Sequence, residues 1–200
     1  MEKNYVDLIR KIVKKTLSEN PLQSAAHKWD HVNRVHKMAL DLSKEEKSID
    51  MEILEISALL HDIDEPYNDK EGHVKRSVKK AEEILKQINY PNERLVKVLE
   101  NIALHSSEEI KPKTSMEAKI LYDADKLDGL GAVGIARVFT LCGQHGMTPE
   151  QAIEYYKKKI KQAFPFLQTE KAKKIMEEEL KYVKSFITKF NKENRSIKNT

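Results

Sequence analysis

The chain has 200 residues, of which 40% are apolar and 34% charged, a composition typical of a protein with a sizeable core and a polar surface. No apolar run approaches the ~18 residues of a transmembrane helix, and the first residues lack a signal-peptide pattern. The single cysteine, Cys142, excludes an internal disulfide and suits a reducing cytoplasm. The 36 basic and 32 acidic residues nearly balance, so nucleic acid is not an indicated partner, whereas an anionic small substrate is compatible.

The first two predicted helices are amphipathic. Apolar residues at helical spacing predict a first helix up to about Ser18, and Asp30 is a candidate cap for the second. His31 shares a face with apolar residues of this second helix, so we expect it to point inward. His36 is expected at the edge of that face.

A third helix is apolar on almost every side and ends in adjacent His61 and Asp62. Asp50 opens this helix, and a loop running to about Gly72 follows it. Burying a His-Asp pair is costly unless something compensates the polar groups, and a divalent metal ion would do so. The alternative is a capped core helix whose last histidine is satisfied within the protein.

Further helices follow, and no stretch has the alternation of a strand. His73 begins the fourth, Asn92 is a candidate cap for the fifth, and Ser115 for the sixth, which carries Asp125 inward. Thr148 and Thr169 are candidate caps for the last two helices. The sequence predicts an all-α protein of about eight or nine helices in one domain over 1–200. Its core covers about 20–140, and C-terminal helices at about 149–194 pack on it.

Two imidazoles and two carboxylates are therefore expected on inward faces: His31, His61, Asp62 and Asp125. Four such ligands leave two positions of an octahedral ion open for water or substrate. That is the arrangement of a catalytic metal site rather than a closed structural one.

The motifs HVNRV (31–35), ALLHDI (58–63) and DADKLDGLGAVGIAR (123–137) resemble those of the HD-domain superfamily of metal-dependent phosphohydrolases, particularly a bacterial and archaeal subgroup of single-domain members. The resemblance implies an all-helical fold and hydrolysis of a nucleotide or other small phosphate ester through metal-activated water. It implies that His31, His61, Asp62 and Asp125 hold the divalent ion, which could be Mn, Fe, Co, Ni, Zn or Mg.

The chain departs from the family pattern at two points. Lys28 stands where many relatives have an aspartate, which leaves the role of His27 open. The Gly-Tyr-Pro signature of the cyclic-dinucleotide phosphodiesterases is absent from the sequence, so that substrate is not expected.

Several neighbouring residues have two interpretations. Glu65 resembles the acid that orients the attacking water in some relatives, with Asp64 competing for that role and a solvated loop acid as the alternative. Arg34 and Lys126 could hold phosphate, or could form salt bridges that support the site. His73 and His105 could hold a second metal ion, or could be a helix-cap and an edge histidine.

The main alternative function is a non-catalytic, metal-containing module that binds nucleotides or signals. A third hypothesis, RNA binding through the lysine-rich C-terminal helix, is weaker because such runs are usually solvated helix faces. The sequence is also compatible with a homodimer.

Overall fold

The computed structural model describes residues 4–68, 72–106, 111 and 113–198, and its architecture is all-α, as predicted. The α-helices in the described part of the chain are α1 (Tyr5–Glu19), α2 (Trp29–Ser43), α3 (Met51–Leu60), α4 (His73–Gln87), α5 (Asn92–Leu104), α6 (Met116–Leu127), α7 (Gly131–Gln144), α8 (Pro149–Ala163) and α9 (Glu170–Lys198). Two 3₁₀ helices cover Ala25–His27 and Phe164–Phe166. The described residues contain no strand, only an isolated bridge between Gln23 and Pro66.

Helix α3 lies at the centre of the molecule, which explains its apolar sequence. One of its faces joins a buried cluster with α1, α4 and α5, and Leu54 and Ala58 join a second cluster with α2 and α6–α9. Each buried Leu or Ile contributes roughly 1.5–3 kcal/mol. The end of α3, and with it His61, is therefore held in place from both sides.

Most predicted caps are confirmed. Asp50 accepts a hydrogen bond from the Ile53 amide at 3.2 Å, and Ser115 accepts one from Ala118 at 3.2 Å. Thr148 and Thr169 also cap the helices that follow them.

The predicted caps of α2 and α5 are wrong. Asp30 and Asn92 lie within the helices, and the cap positions are occupied by Lys28 and Pro91, neither of which makes a side-chain cap bond. Local residue preference could not reveal this, because Asp also favours the first helical turn, where its charge interacts with the helix dipole.

His36 is buried, with 2% of its surface exposed, and is not at the edge as the sequence suggested. Its Nε2 lies 2.8 Å from Glu55 Oε2, and Arg10 Nη2 lies 3.2 Å from the same nitrogen. Burial lowers the pKa of His36, although Glu55 partly offsets this effect. Helical periodicity placed His36 at the edge of the apolar face of α2. In the structure His36 is interior because α1 covers this side of α2.

A tight turn joins α6 to α7. Gly131 has φ +64°, and a Cβ at Gly134 would collide with the Gly129 backbone. The Tyr156 hydroxyl on α8 donates a 2.8 Å hydrogen bond to the Gly129 carbonyl. The glycines thus permit a close approach that brings α7 and α8 beside the end of α6, where Asp125 lies.

Helices α8 and α9 contribute to the same buried cluster as α2 and α6. Asp123 of α6 accepts hydrogen bonds from the Gln168 and Thr169 amides at 2.8 and 2.7 Å, which anchors the start of α9. Within the described residues, no helix is both long enough and apolar enough to span a bilayer.

Candidate metal centre

The four residues that the sequence singled out as metal ligands meet at one point. Ligand atoms of His31, His61, Asp62 and Asp125 all lie within 4.8 Å of one another. His31 Nε2 is 3.2 Å from His61 Nε2, 3.3 Å from Asp62 Oδ2 and 3.5 Å from Asp125 Oδ1. The two imidazoles and Asp62 are buried, and the Asp125 side chain is 15% exposed.

Hydrogen bonds on the far side of each imidazole determine which nitrogen faces the centre. His61 Nδ1 lies 2.9 Å from the Ala58 carbonyl, which can only accept. His31 Nδ1 lies 2.8 Å from Asp128 Oδ2. Both rings are therefore assigned as donors at Nδ1, which leaves the Nε2 lone pairs directed at each other and at two carboxylates. Without metal, a proton on His61 compensates this arrangement, and a divalent metal ion can take the place of that proton, so the residues fit such an ion.

Charge interactions within the cluster lower the pKa values of the two aspartates and raise that of His61. Burial alone would raise the pKa of Asp62, but the charge of His61 and hydrogen bonds with histidines hold it well below its usual range. Burial also opposes ionisation of Asp125, yet Lys126 and His61 lower the pKa of its carboxyl. Burial would lower the pKa of His61, but Asp62 and Asp125 outweigh it and raise this pKa to about 9. Both carboxylates are thus ionised at neutral pH and attract a cation.

A second group of possible ligands adjoins the first through Asp62. Ligand atoms of Asp62, His73 and His105 lie within 4.8 Å of one another. His105 Nδ1 donates to the Ile102 carbonyl at 2.6 Å, so its Nε2 faces Asp62 Oδ1 at 3.2 Å. Among the described residues, no group makes a well-aligned hydrogen bond to the buried Asp62 Oδ1. His105 is 1% exposed, so it is an interior residue and not the edge histidine that the sequence allowed as an alternative.

Glu65 and His27 form a third group with Asp62. Glu65 is 4% exposed, so the solvated-acid alternative is wrong, and its Oε1 lies 3.4 Å from His27 Nδ1. Burial holds the pKa of His27 well below its ordinary value, which keeps this imidazole neutral at pH 7. Asp64 is only half-buried, and it belongs to none of the ligand groups found among the described residues.

The two predicted phosphate-binding residues both form salt bridges beside the centre. Arg34 donates to Asp128 through Nε at 2.7 Å and Nη2 at 3.1 Å. Lys126 Nζ donates to Asp125 Oδ2 at 2.9 Å. Arg137 Nη1 also lies 2.8 Å from Asp128 Oδ2. Asp128 therefore joins His31 to two arginines, and these contacts lower its pKa despite its burial.

Sequence reasoning missed Gln23, which ties the loop after α3 to the segment before α2. Its Nε2 donates to the carbonyls of His27 at 2.8 Å and Asp62 at 3.1 Å, and its Oε1 accepts from the Glu65 amide at 3.3 Å. Nothing in the local sequence marks a glutamine in a polar segment as buried. Two of its three partners, Asp62 and Glu65, lie in a loop that is distant in sequence, so only the folded structure reveals its role.

A pocket of about 170 Å³ opens beside the metal centre. His27, Asp125 and Lys126 form its inner side, and residues of α7 and α8 form the remainder. The lining residues are Ala26, His27, Asp125, Lys126, Gly129, Gly134, Arg137, Val138, Leu141, Tyr155, Tyr156, Lys159 and Ile160. Three of the lining side chains are cationic and one is a carboxylate, so the pocket suits an anionic ligand.

Comparison with known proteins agrees with this geometry. The family model described as the HD domain matches residues 29–130, which include all four centre residues. The chain belongs to the HD-domain family. The match covers α2, α3 and α6, the three helices that bring the histidines and aspartates of this HD protein together.

Two relatives are similar over nearly their whole length. The uncharacterized protein YpgQ of Bacillus subtilis is 30% identical over 96% of this chain and 95% of its own. The crystal structure of YpgQ in complex with ADP has a TM-score of 0.74, at 27% identity over 94% of each chain. An HD-superfamily hydrolase from Bacillus thuringiensis has a TM-score of 0.71, at 31% identity over 95% and 96% of the two chains. Such relatives indicate a metal-dependent hydrolase family.

Proposed function

We propose that this HD protein is a phosphohydrolase that cleaves a phosphate ester or phosphoanhydride bond of a nucleotide or similar small phosphate compound. The observation that carries the proposal is the convergence of two imidazole nitrogens and two carboxylate oxygens within 4.8 Å of one another. His31, His61, Asp62 and Asp125 would hold the divalent ion. With four protein ligands, such an ion would still be able to bind water and a phosphate oxygen.

A divalent ion held by these residues would lower the pKa of a bound water molecule and neutralise negative charge on the phosphoryl group. Glu65 is the best-placed residue to orient the attacking water and accept its proton, since it is buried beside Asp62 and His27. Asp64 is the less favoured candidate because it is half-buried and outside the ligand groups. His27, which is neutral at pH 7, would keep Glu65 in position through the 3.4 Å contact.

The cationic residues divide into two roles in this proposal. Lys126 lines the pocket beside Asp125 and would place its charge near the substrate phosphate. Arg34 makes a two-point contact with Asp128, so it would act mainly by fixing Asp128 and, through it, the ring of His31. This is the supporting salt bridge that the sequence left open as an alternative for Arg34.

We also propose a second divalent ion between Asp62, His73 and His105. The buried carboxylate of Asp62 supports it, with His105 Nε2 3.2 Å from its Oδ1 and His73 in the same group of possible ligands. Asp62 would then be a ligand common to both ions. Paired ions are suited to in-line transfer at phosphorus, because they stabilise the attacking and the leaving oxygens.

The ADP bound by YpgQ supports a nucleotide as the substrate class. A panel of nucleoside mono-, di- and triphosphates tests this directly, with release of phosphate and pyrophosphate measured in Mn²⁺, Co²⁺, Ni²⁺ and Mg²⁺. We expect turnover of at least one nucleotide. Nucleotide binding without turnover in any metal would instead establish the alternative, a non-catalytic nucleotide-binding module.

A further inference from the structure

Asp128 lies at the end of α6 and contacts His31 through the ring nitrogen that faces away from the other candidate ligands. The distance from His31 Nδ1 to Asp128 Oδ2 is 2.8 Å. Two arginines contact the same carboxylate, Arg34 from α2 and Arg137 from α7. The two guanidinium groups differ in what else they contact, and this difference separates their roles.

Arg34 ties Asp128 to helix α2. Within the described residues, its hydrogen bonds go to the two carboxylate oxygens of Asp128, at 2.7 and 3.1 Å. Arg34 and His31 lie one turn apart on the same helix, so both contacts join the end of α6 to α2. Arg34 therefore cannot fix Asp128 relative to the other segments of the site.

Arg137 joins Asp128 to two further segments of the chain. Its Nε donates to the Ala26 carbonyl at 3.0 Å, and its Nη1 donates to the Asp128 carbonyl at 3.1 Å. The same Nη1 lies 2.8 Å from Asp128 Oδ2, the oxygen that faces His31. The Arg137 side chain is 15% exposed, against 35% for Arg34, so solvent screens its charge less. A planar guanidinium bonded to two main-chain carbonyls has little freedom to move, so it holds this oxygen in place.

The glycine turn between α6 and α7 allows Arg137 to reach Asp128. Gly131 adopts φ +64°, and Gly134 packs directly against the Gly129 backbone, so α7 begins beside the end of α6. Arg137 follows almost two turns into α7 and contacts Asp128, nine residues earlier in the chain. Arg137 lies beyond the family match at 29–130, so this contact comes from the part of the chain outside the matched segment.

We infer that Arg137 is a positioning residue that strengthens metal binding at the centre by holding Asp128 against His31. The inference rests on the proposed metal-dependent function and adds a residue that is not itself a ligand. Loss of the groups that orient a metal-binding histidine typically costs about 10–100-fold in metal affinity or activity. Charge alone predicts the opposite change, because removing a cation near the centre favours the binding of another cation. The direction of the change therefore separates positioning from electrostatics.

Titration of the metal-free protein with Mn²⁺, with the free ion measured by electron paramagnetic resonance, tests the inference without using activity. In Arg137→Met, which keeps much of the aliphatic side chain, we expect about tenfold weaker Mn²⁺ binding. Arg137→Lys keeps the charge but lacks the planar fork, so it should also bind Mn²⁺ at least about threefold more weakly. Thermal melting checks that each variant is folded, and Arg137→Lys provides the test if Arg137→Met does not fold.

Two further variants make the comparison specific. Asp123→Asn, also on α6, weakens the anchoring of α9 and should lower the Tm with wild-type Mn²⁺ affinity, so it controls for a general loss of stability. Asp128→Asn removes the carboxylate through which Arg137 acts. Adding Arg137→Met to Asp128→Asn should therefore weaken Mn²⁺ binding by less than about twofold further.

Unchanged or tighter Mn²⁺ binding in Arg137→Met would overturn the inference, and so would wild-type affinity in Arg137→Lys. Losses that multiply in the double variant, or an equal loss in Asp123→Asn, would also contradict it. A wild type that binds no Mn²⁺ would overturn both the inference and the metal centre. The expected affinities in a protein that hydrolyses no phosphate compound would preserve the role of Arg137 and overturn the proposed hydrolase, so the two failures are distinguishable.

Discussion

Asp62 Oδ1 and His105 Nε2 face each other at 3.2 Å in the protein interior. The other oxygen of Asp62 lies 3.3 Å from the Nε2 atoms of both His31 and His61. One carboxylate therefore faces two clusters of imidazoles. This geometry is the basis for proposing two neighbouring ions rather than one.

Replacing His105 with glutamine should reduce the number of bound ions from two to one, because the second ion loses a nitrogen ligand and the first keeps all four of its own. Elemental analysis of protein reconstituted with Mn²⁺ measures this ratio. His145→Gln, which alters an exposed histidine of the turn after α7, is the control and should retain two. A wild type that saturates at one ion would contradict the second site.

Glu65→Gln should lower turnover by about 10²-fold or more while metal content stays unchanged, because the amide cannot accept the proton of the attacking water. Asp64→Asn is the matched control, one residue earlier in the same loop, and should keep turnover within about threefold. Steady-state kinetics and metal analysis on both variants distinguish the two acids. If Asp64→Asn were the slower enzyme, the assignment of the proton acceptor would have to be exchanged.

Asp123 and Asp125 are two residues apart, yet replacing each with asparagine should affect metal binding differently. Asp123→Asn replaces an acceptor of the Gln168 and Thr169 hydrogen bonds and should destabilise the protein by about 1–3 kcal/mol, with metal binding retained. Asp125→Asn removes a candidate ligand and the charge partner of Lys126, so it should weaken metal binding, which Asp123→Asn should not. Urea unfolding and metal titration on each variant measure the stability and the metal affinity. Equal losses of metal affinity in the two variants would contradict the different roles given to Asp123 and Asp125.

The pH dependence of the metal-free protein follows from His61. Its folded-state pKa of about 9 lies above the ordinary value of 6.5, so protonation stabilises the fold fully below pH 6.5. This stabilisation is lost as pH rises through 9. We expect the Tm of chelator-treated protein to fall by roughly 5–10 °C between pH 7 and pH 9.5.

Metal-saturated protein should not show this fall, because the ion occupies the place of the proton and His61 is already neutral. His61→Asn should abolish the fall in the metal-free protein. Differential scanning fluorimetry across this pH range measures the Tm of the metal-free wild type, the metal-saturated wild type and metal-free His61→Asn. An equal decrease in the variant would mean that another group titrates.

The all-α fold and the helices that carry the centre could be predicted because each helix has a strong periodic signal. The convergence of the four candidate ligands was also accessible, since polar groups such as His61 and Asp125 on apolar faces are costly without a partner. What the sequence could not supply was side-chain contact between distant segments. The burial of His36 depends on α1 covering it, and the role of Gln23 depends on three partners.

The same limitation applied to the charged residues around the site. Arg34 and Lys126 had two equal interpretations because a cation near a ligand can bind substrate or support another side chain. The structure shows the supporting contacts with Asp128 and Asp125 directly. Substrate contacts are formed only with substrate present, so those roles stay predictions.

The central claim is that a metal ion held by the His31, His61, Asp62 and Asp125 cluster is required for phosphohydrolysis, and Asp62→Ala tests it most directly. The measurement is metal content and phosphate release from nucleotides, made in parallel on wild type and variant after removal and re-addition of Mn²⁺. The account predicts bound metal and turnover in the wild type, and neither in Asp62→Ala despite a folded protein. Undiminished turnover by metal-free Asp62→Ala would contradict it.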